Sequence, residues 1–206
     1  MKKIPKHLKN KHHRKIIRSR TLVICHGLTE YYLARYLKSS LRIPLDIKRR
    51  TDSSIQITAL QQVMSGQEFK NERSLLKRYK HLDTDESSNL NQIKIFPIMD
   101  TDDANNDEIS QYKRASLFGN KWFLKYFYPI YNERNIEDVL KKIGWNFTRK
   151  QNEKGSLYFD LFPVNHKNTL EIDRIQELAA LLAACPETNL DELLFHCLRE
   201  VERLRE

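Results

Sequence analysis

The chain has 206 residues, 40% of them hydrophobic, and a net charge of +9 at pH 7. That length and apolar content suit one domain, or one domain with a small appendage, built around a real core. No stretch has the ~20 apolar residues of a membrane span and the N-terminus lacks a secretory apolar segment, so we expect a cytoplasmic protein.

Residues 1–20 hold the excess of positive charge. They contain nine of the 36 Lys and Arg residues and no acid, which leaves 27 basic against 27 acidic residues in the rest of the chain. This segment predicts a flexible basic arm that binds nucleic-acid phosphates. An anionic membrane surface, an acidic partner and a merely solubilising terminus remain alternatives. The candidate nucleic-acid-binding residues are Lys9, Lys11, Arg14, Lys15, Arg18 and Arg20.

The first predicted elements are a buried strand over residues 22–25 and a helix over 28–41, in which Leu recurs every four residues. Gly27 lies in the turn between them, where a glycine allows a tight backbone turn. The start of the helix offers amide donors that favour an anion such as phosphate.

The next segments predict a strand over residues 43–47, helices over 55–64 and 68–79, and a strand beginning at Lys94. That last strand is apolar on both faces, as in a parallel sheet covered by helices, although Pro97 removes one ladder donor. The order of the elements predicts an α/β fold: a mostly parallel sheet with right-handed crossovers and flanking helices.

Three carboxylates, Asp100, Asp102 and Asp103, follow this strand directly. Ligands of open α/β sheets bind at the carboxyl ends of the strands, and clustered carboxylates suit Mg²⁺ or Mn²⁺. Glu30, on the first turn of the helix after the first strand, is expected at the same edge of the sheet. The alternative is a solvated loop, because Asp and Asn also form turns.

These residues together resemble the Toprim domain of topoisomerases, bacterial primases and small nucleases. The closer similarity is to OLD-type nucleases and to RloB-like proteins of bacterial defence systems. The matching positions are His26-Gly27, Glu30 and Asp100-Thr101-Asp102, with Asp103 as an extra acid. The aromatic segment 117–127 is similar to a Trp- and Leu-rich helix of RloB-like proteins. The resemblance spans roughly residues 21–145 and implies the Toprim-like α/β domain there.

Two departures from the family pattern concern carboxylates. His26 stands where the family has a glutamate, and Asn120 stands where RloB-like proteins have an acid before the helix tryptophan. A neutral imidazole ligates Mn²⁺ or transfers a proton, but it is a poor Mg²⁺ ligand. Binding without cleavage, and simple packing of His26 in the turn, are therefore both open.

The resemblance implies a metal-dependent nuclease that hydrolyses phosphodiesters, in phage defence or as a toxin. Asp100 and Asp102, with Asp103 beside them, would hold Mg²⁺ or Mn²⁺. Glu30 would bind a second ion, His26 would act as a base or ligand, and Lys121 is a candidate for the cation near the developing charge. The alternative is a catalytically degenerate module that binds nucleic acid, a nucleotide or a partner protein.

The remaining segments predict mainly helices. A helix over 116–128 is strongly aromatic, and its rings suit a core more than base stacking. Another helix begins after Asn135 and ends at Gly144, and a strand over 157–164 follows. Residues 146–206 are expected to pack on the domain through that strand and through helices over 170–184 and 189–204.

The last predicted helix has an apolar seam that suits packing against another helix. The seam residues are Leu190, Leu194, Cys197, Val201 and Leu204. Packing on its own domain is the favoured interpretation, and a homodimer is the alternative. RloB-like proteins often work beside an ATPase, so the resemblance also implies such a partner. The chain contains no P-loop, hydrolase elbow or zinc pattern.

Overall fold

Four strands form one sheet in a computed structural model that describes residues 18–84, 86, 89–145, 161–163 and 170–206. The strands are β1 (Thr21–Cys25), β2 (Leu45–Lys48), β3 (Lys94–Asp100) and β4 (Ile130–Asn132). Their order is β2-β1-β3-β4, and all neighbouring pairs are parallel. The α/β fold with a parallel sheet is confirmed.

The register fixes which residues share an edge of the sheet. Thr21 of β1 pairs with Lys94 at the start of β3, and Asp100 at the end of β3 pairs with Asn132. Because the strands are parallel, their carboxyl ends lie on one edge and their amino ends on the other.

Helices flank this sheet. They are α1 (Leu28–Leu41), α2 (Ile57–Met64), α3 (Glu72–Arg78), α4 (Asn106–Lys113), α5 (Ile136–Lys142), α6 (Ile172–Ala183) and α7 (Asp191–Arg205). Short 3₁₀ turns occupy Gln67–Phe69, Ser116–Phe118 and Trp122–Tyr126. Within the described residues, no helix is long and apolar enough to cross a membrane.

The core consists of two apolar layers, one on each face of the sheet. Alternate residues of β1 enter different layers. In the first apolar layer, Val23 and Cys25 pack with α1, α5, α6 and α7. In the second apolar layer, Leu22 and Ile24 pack with α2, α3 and α4. This period of two is the signature of a strand, and burial on both faces explains the continuous apolar run in the sequence.

The C-terminal seam packs within its own domain, as predicted. Leu190, Leu194, Cys197 and Val201 are buried in the first apolar layer, and Leu204 packs at its margin. The seam is therefore already covered by α1, α6 and the sheet.

The aromatic helix predicted over 116–128 is wrong. The segment forms two 3₁₀ turns separated by Gly119, whose φ of +54° interrupts a regular helix. Phe118, Phe123 and Phe127 contact one another edge to face and at a tilt inside the second apolar layer. The prediction that these rings form core is confirmed.

Other boundaries also differ from the predictions. The helix predicted over 68–79 is divided by Asn71, whose side chain accepts from the N–H of Ser74 and starts α3. The elements α4 and β4 were not predicted. The strand predicted over 157–164 lies mostly outside the described residues, and residues 161–163 contain no strand.

Candidate functional site

Two carboxylates meet at the carboxyl edge of the sheet. Asp100 is the last residue of β3, and Glu30 lies in the first turn of α1, directly after the neighbouring strand β1. Their exposed fractions are only 6% and 1%. The sequence analysis predicted that these two acids lie at the same edge of the sheet. Their positions agree with that prediction.

The turn between β1 and α1 positions Glu30. The N–H of Gly27 donates to Oε2 of Glu30 at 2.7 Å, so the carboxylate folds back over the start of its own helix. A Cβ on Gly27 would lie 3.3 Å from that same oxygen, which is tighter than ordinary contact. Glycine at position 27 therefore leaves the room that this arrangement needs.

Asp100 is held by β4 and by the start of α5. Its Oδ1 accepts from Nδ2 of Asn132 at 3.0 Å and from the N–H of Ile136 at 3.2 Å. Asn132 is itself fixed, because its Oδ1 accepts from the hydroxyl of Thr188 at 2.9 Å. Among the described residues, none donates to Oδ2 of Asp100, which leaves that oxygen for a cation.

Burial raises the pKa of both carboxyls. The pKa of Glu30 rises to about 7, and the charges of Glu137 and Asp102 add to the effect of burial. The pKa of Asp100 rises to about 9, first through burial and then through the charge of Glu30. Two such groups carry full negative charge together at neutral pH only when a cation compensates them.

Two further acids line this edge. Glu137, in the first turn of α5, accepts from the hydroxyl of Thr29 at 2.6 Å. Asp102 is exposed, and its N–H donates to the carbonyl of Arg134 at 3.1 Å. The negative charge of each raises the pKa of Glu30 and of Asp100, so all four carboxylates share one electrostatic site.

Sequence reasoning missed Glu137 and Asn132. An acid in the first turn after the predicted cap Asn135 is a signal that could have pointed to Glu137. Asn132 could have been found only by recognising β4, whose three residues are too few for an alternation pattern.

The side chains of His26 and Asp103 interact electrostatically, but no hydrogen bond joins them among the described residues. The His26 N–H donates to the carbonyl of Ile98 at 3.0 Å, and its carbonyl accepts from Ile55 at 2.7 Å. Nδ1 of His26 is shielded from solvent and has no hydrogen-bond partner among the described residues. Burial raises the pKa of Asp103, and attraction to His26 opposes that rise.

Lys121 and the basic candidates lie elsewhere. Lys121 is exposed ahead of the Trp122–Tyr126 turn, and no contact joins it to Glu30 or Asp100 in the described part of the chain. Arg18 donates to Thr84 at 3.0 Å, and Arg20 forms an ion pair with Asp83 at 2.8 Å. Lys9, Lys11, Arg14 and Lys15 lie outside the described residues.

The donor chemistry of the acidic site fits a hard divalent cation, since its free groups are carboxylate oxygens. The side chains do not surround a preformed metal position: in the described part of the chain, no group of three or more His, Cys, Asp or Glu residues is arranged to hold a metal ion. A cation would therefore be held by Asp100 together with Asp102 or Glu30, and its other ligands would come from solvent or substrate.

Comparison with known proteins yields no relative. No protein-family model, no curated protein and no solved structure matches this chain. Function is therefore inferred from the chain's own residues.

Proposed function

We propose that the protein is a divalent-metal-dependent nuclease that hydrolyses the phosphodiester bonds of nucleic acid. The observation that supports this most is the buried pair of Glu30 and Asp100, whose raised pKa values mean that their ionised forms need a compensating cation. Their position at the carboxyl ends of neighbouring parallel strands is where α/β folds bind ligands.

The residues have distinct roles in this proposal. Asp100 and Asp102 would hold Mg²⁺ or Mn²⁺, and Glu30 would bind the same ion or a second one. Asp103 interacts with the charges of His26 and Asp102. When bound, the ion would polarise the phosphate and lower the pKa of a coordinated water. The internal hydrogen bonds of Glu30 and Asp100 fix their orientation before substrate arrives, which reduces the reorganisation needed for catalysis.

Glu30 is also suited to proton transfer. In the metal-free protein a carboxyl with a pKa of about 7 is present in both protonation states at neutral pH. Glu30 would therefore accept a proton from an attacking water if the ion is held by Asp100 and Asp102 alone. His26 is the second candidate base, because its Nδ1 is not engaged in the described part of the chain.

A second candidate function is a module that binds without cleaving. It is favoured by His26 at the position where the resembled family has a glutamate, and by the hydrogen bonds that already use Glu30 Oε2 and Asp100 Oδ1. In that case the acids stabilise the loops of the carboxyl edge and need no metal.

Calorimetry with MnCl₂ and MgCl₂ separates the two candidates. We expect the wild type to bind Mn²⁺ more tightly than Mg²⁺, because His26 replaces a carboxylate. Asp100→Asn should abolish binding, whereas Asp107→Asn, which removes an exposed acid from α4, should leave it unchanged. Absence of binding to the wild type would remove the metal-dependent proposal.

Cleavage of labelled single-stranded and duplex DNA and RNA then tests the activity. Products that appear with Mn²⁺ and the wild type, and that disappear with Asp100→Asn, would support the nuclease. Metal binding without products from any of these substrates would contradict the nuclease. A cytoplasmic location, a defence or toxin role, and an ATPase partner or homodimer stay predictions.

A further inference from the structure

A basic groove lies at the amino edge of the sheet, at the opposite end from the acidic site. Lys94 is the first residue of β3, and its N–H donates to the carbonyl of Arg20, directly before β1. The groove has a volume of about 570 Å³, and its described lining residues include five Lys or Arg residues and one acid, Glu200. The cations are Arg20, Lys94, Lys125, Arg199 and Arg203.

Two of these cations, Lys94 and Arg199, form no ion pair in the described part of the chain. Lys94 lies with Nζ 4.4 Å from the ring centre of Tyr128, and it is half-buried. Arg199, on α7, is exposed and has no hydrogen bond or ion pair among the described residues. Burial and the charge of Arg199 lower the pKa of Lys94, against the opposing charges of Glu192 and Glu200. The groove therefore carries positive charge that an anion would stabilise.

The other three cations are paired within the protein. Arg20 contacts Asp83 at 2.8 Å, Lys125 contacts Glu72 at 2.9 Å, and Arg203 contacts Glu200 at 2.8 Å. These pairs keep the cations in place at the wall of the groove. His196 adds no charge near neutral pH, since burial, followed by the surrounding cations, lowers its pKa to about 3.

A second basic groove adjoins the first. It is lined by Arg18, Arg73, Lys77 and Lys80, and none of its described lining residues is an acid. Arg18 lines this second groove, and Arg20, two residues later, lines the first. Nη2 of Arg203 donates to the carbonyl of Arg18 at 3.4 Å, so the first groove contacts the second.

The extent of this surface favours a polymeric anion. Nine described Lys or Arg residues line the two grooves together. A single phosphate needs only one convergent cluster, whereas positive charge repeated along an edge matches the regularly spaced charges of a nucleic-acid backbone. We propose that the two grooves at the amino edge bind the phosphate backbone of nucleic acid, at a site separate from the acidic residues.

Fluorescence anisotropy tests this with a fluorescein-labelled DNA strand of roughly 20 nucleotides and with its duplex. The measurements are made in EDTA, so they do not depend on the metal site. The groove variant is Lys94→Gln with Arg199→Gln. The control is Lys70→Gln with Lys141→Gln, which removes the same charge from exposed lysines that line neither groove.

We expect the groove variant to raise Kd by roughly tenfold and to lower the slope of log K against log salt concentration by about two. The control should stay within about twofold of the wild type, since it loses only distant charge that salt screens. The strand and the duplex share the same phosphates, so their relative affinities identify which form the grooves prefer.

Equal behaviour of groove variant and control would overturn the proposal. It would also be overturned if poly-glutamate displaced the DNA as well as unlabelled DNA does, because the surface would then select any acidic partner. If the double variant melts below the wild type, Arg199→Gln alone, at an exposed position, should still lower the salt slope by about one. Asp100→Asn should bind DNA normally in EDTA, which separates this proposal from the metal-dependent one.

Discussion

Glu30 has two roles that follow from one hydrogen bond. By accepting from Gly27 it satisfies an N–H at the start of α1, and the same contact holds its carboxylate near the charge of Asp100. A surface carboxylate at a helix start would stabilise the helix at no electrostatic cost. Here the group is buried beside another acid, so part of that stabilisation is lost whenever both ionise.

This burial predicts that the metal-free protein loses stability as pH rises. The folded-state pKa of Asp100 is raised, so the folded protein binds more protons than the unfolded chain between about pH 4 and pH 9. Stability is present below that window and is lost through it. Urea denaturation in EDTA should show the wild type losing about 1–2 kcal/mol between pH 7 and pH 9 relative to Asp100→Asn.

The choice of pH range keeps this test specific. The folded-state pKa of His196 is lowered to about 3, so its effect has the opposite sign and is complete below about pH 7. Saturating Mn²⁺ should remove the loss if the ion binds the pair. Equal pH dependence for wild type and variant would show that Asp100 ionises freely in the folded state.

The acids at the strand ends could be predicted from the sequence, whereas the residues that contact them could not. Asp100 and Glu30 follow long apolar runs, and parallel topology then assigns both to one edge. Glu137, Asn132 and Thr188 reach the site from three separate later segments. That convergence depends on tertiary packing, for which a single sequence offers no periodic signal.

Short polar helices mark the limit of pattern-based prediction. Helix α4 contains mostly polar residues and buries only Tyr112, so apolar periodicity is absent. Its start is set by Asn105, whose Oδ1 accepts from the N–H groups of Asp107 and Glu108 at 3.0 Å. Capping by Asn105 therefore determines where this helix begins. Pattern alone does not predict the helix, because a sequence rich in Asp and Asn is equally typical of a loop.

The cap of α5 supplies a prediction about the site. Asn135 accepts from the N–H of Asp138 at 2.8 Å, and the next residue, Ile136, donates to Asp100. Asn135→Ala should cost about 1 kcal/mol of unfolding free energy. It should also change the difference in stability between pH 7 and pH 9, because the donor to Asp100 is no longer held in place.

Asn71→Ala is the matched control for that experiment. Asn71 caps α3 through the same kind of contact, at 2.8 Å to Ser74, but α3 contributes no contact to Asp100 in the described part of the chain. It should lose a similar free energy in urea denaturation and leave the pH difference unchanged. Equal effects of both variants on the pH difference would mean that the cap acts on stability alone.

The last helix predicts a larger stability effect. Leu194 of α7 is fully buried in the first apolar layer, whereas Leu181 of α6 is 37% exposed. Leu194→Ala should lower the unfolding free energy by about 2–5 kcal/mol, through lost burial and a residual cavity. Leu181→Ala should cost far less in the same urea titration. Similar losses would indicate that α7 does not cover the sheet in solution.

One strand joins the two proposed sites. Strand β3 begins with Lys94 in the basic groove and ends with Asp100 in the acidic site. At about 3.3 Å per residue its seven residues separate these ends by roughly 20 Å. That distance is about two Debye lengths at 0.1 M salt, so the charges of the two edges interact only weakly through solvent.

This separation predicts that the two binding reactions respond to different substitutions. At 0.1 M salt, the double variant Lys94→Gln, Arg199→Gln should weaken DNA binding and leave Mn²⁺ binding intact. Asp100→Asn should weaken Mn²⁺ binding and leave DNA binding intact. The triple variant should show both losses, each within about 0.5 kcal/mol of its separate value. Anisotropy in EDTA and Mn²⁺ calorimetry measure them.

Lowering the salt provides the internal check on this independence. Near 0.01 M salt the Debye length grows to about 30 Å, so the acidic site should begin to repel a bound phosphate chain across the sheet. Asp102→Asn, which removes an exposed acid from that site, should then tighten DNA binding slightly, an effect that disappears at 0.1 M. Loss of Mn²⁺ affinity in the groove variant at 0.1 M would instead show that the two edges are coupled through the sheet itself.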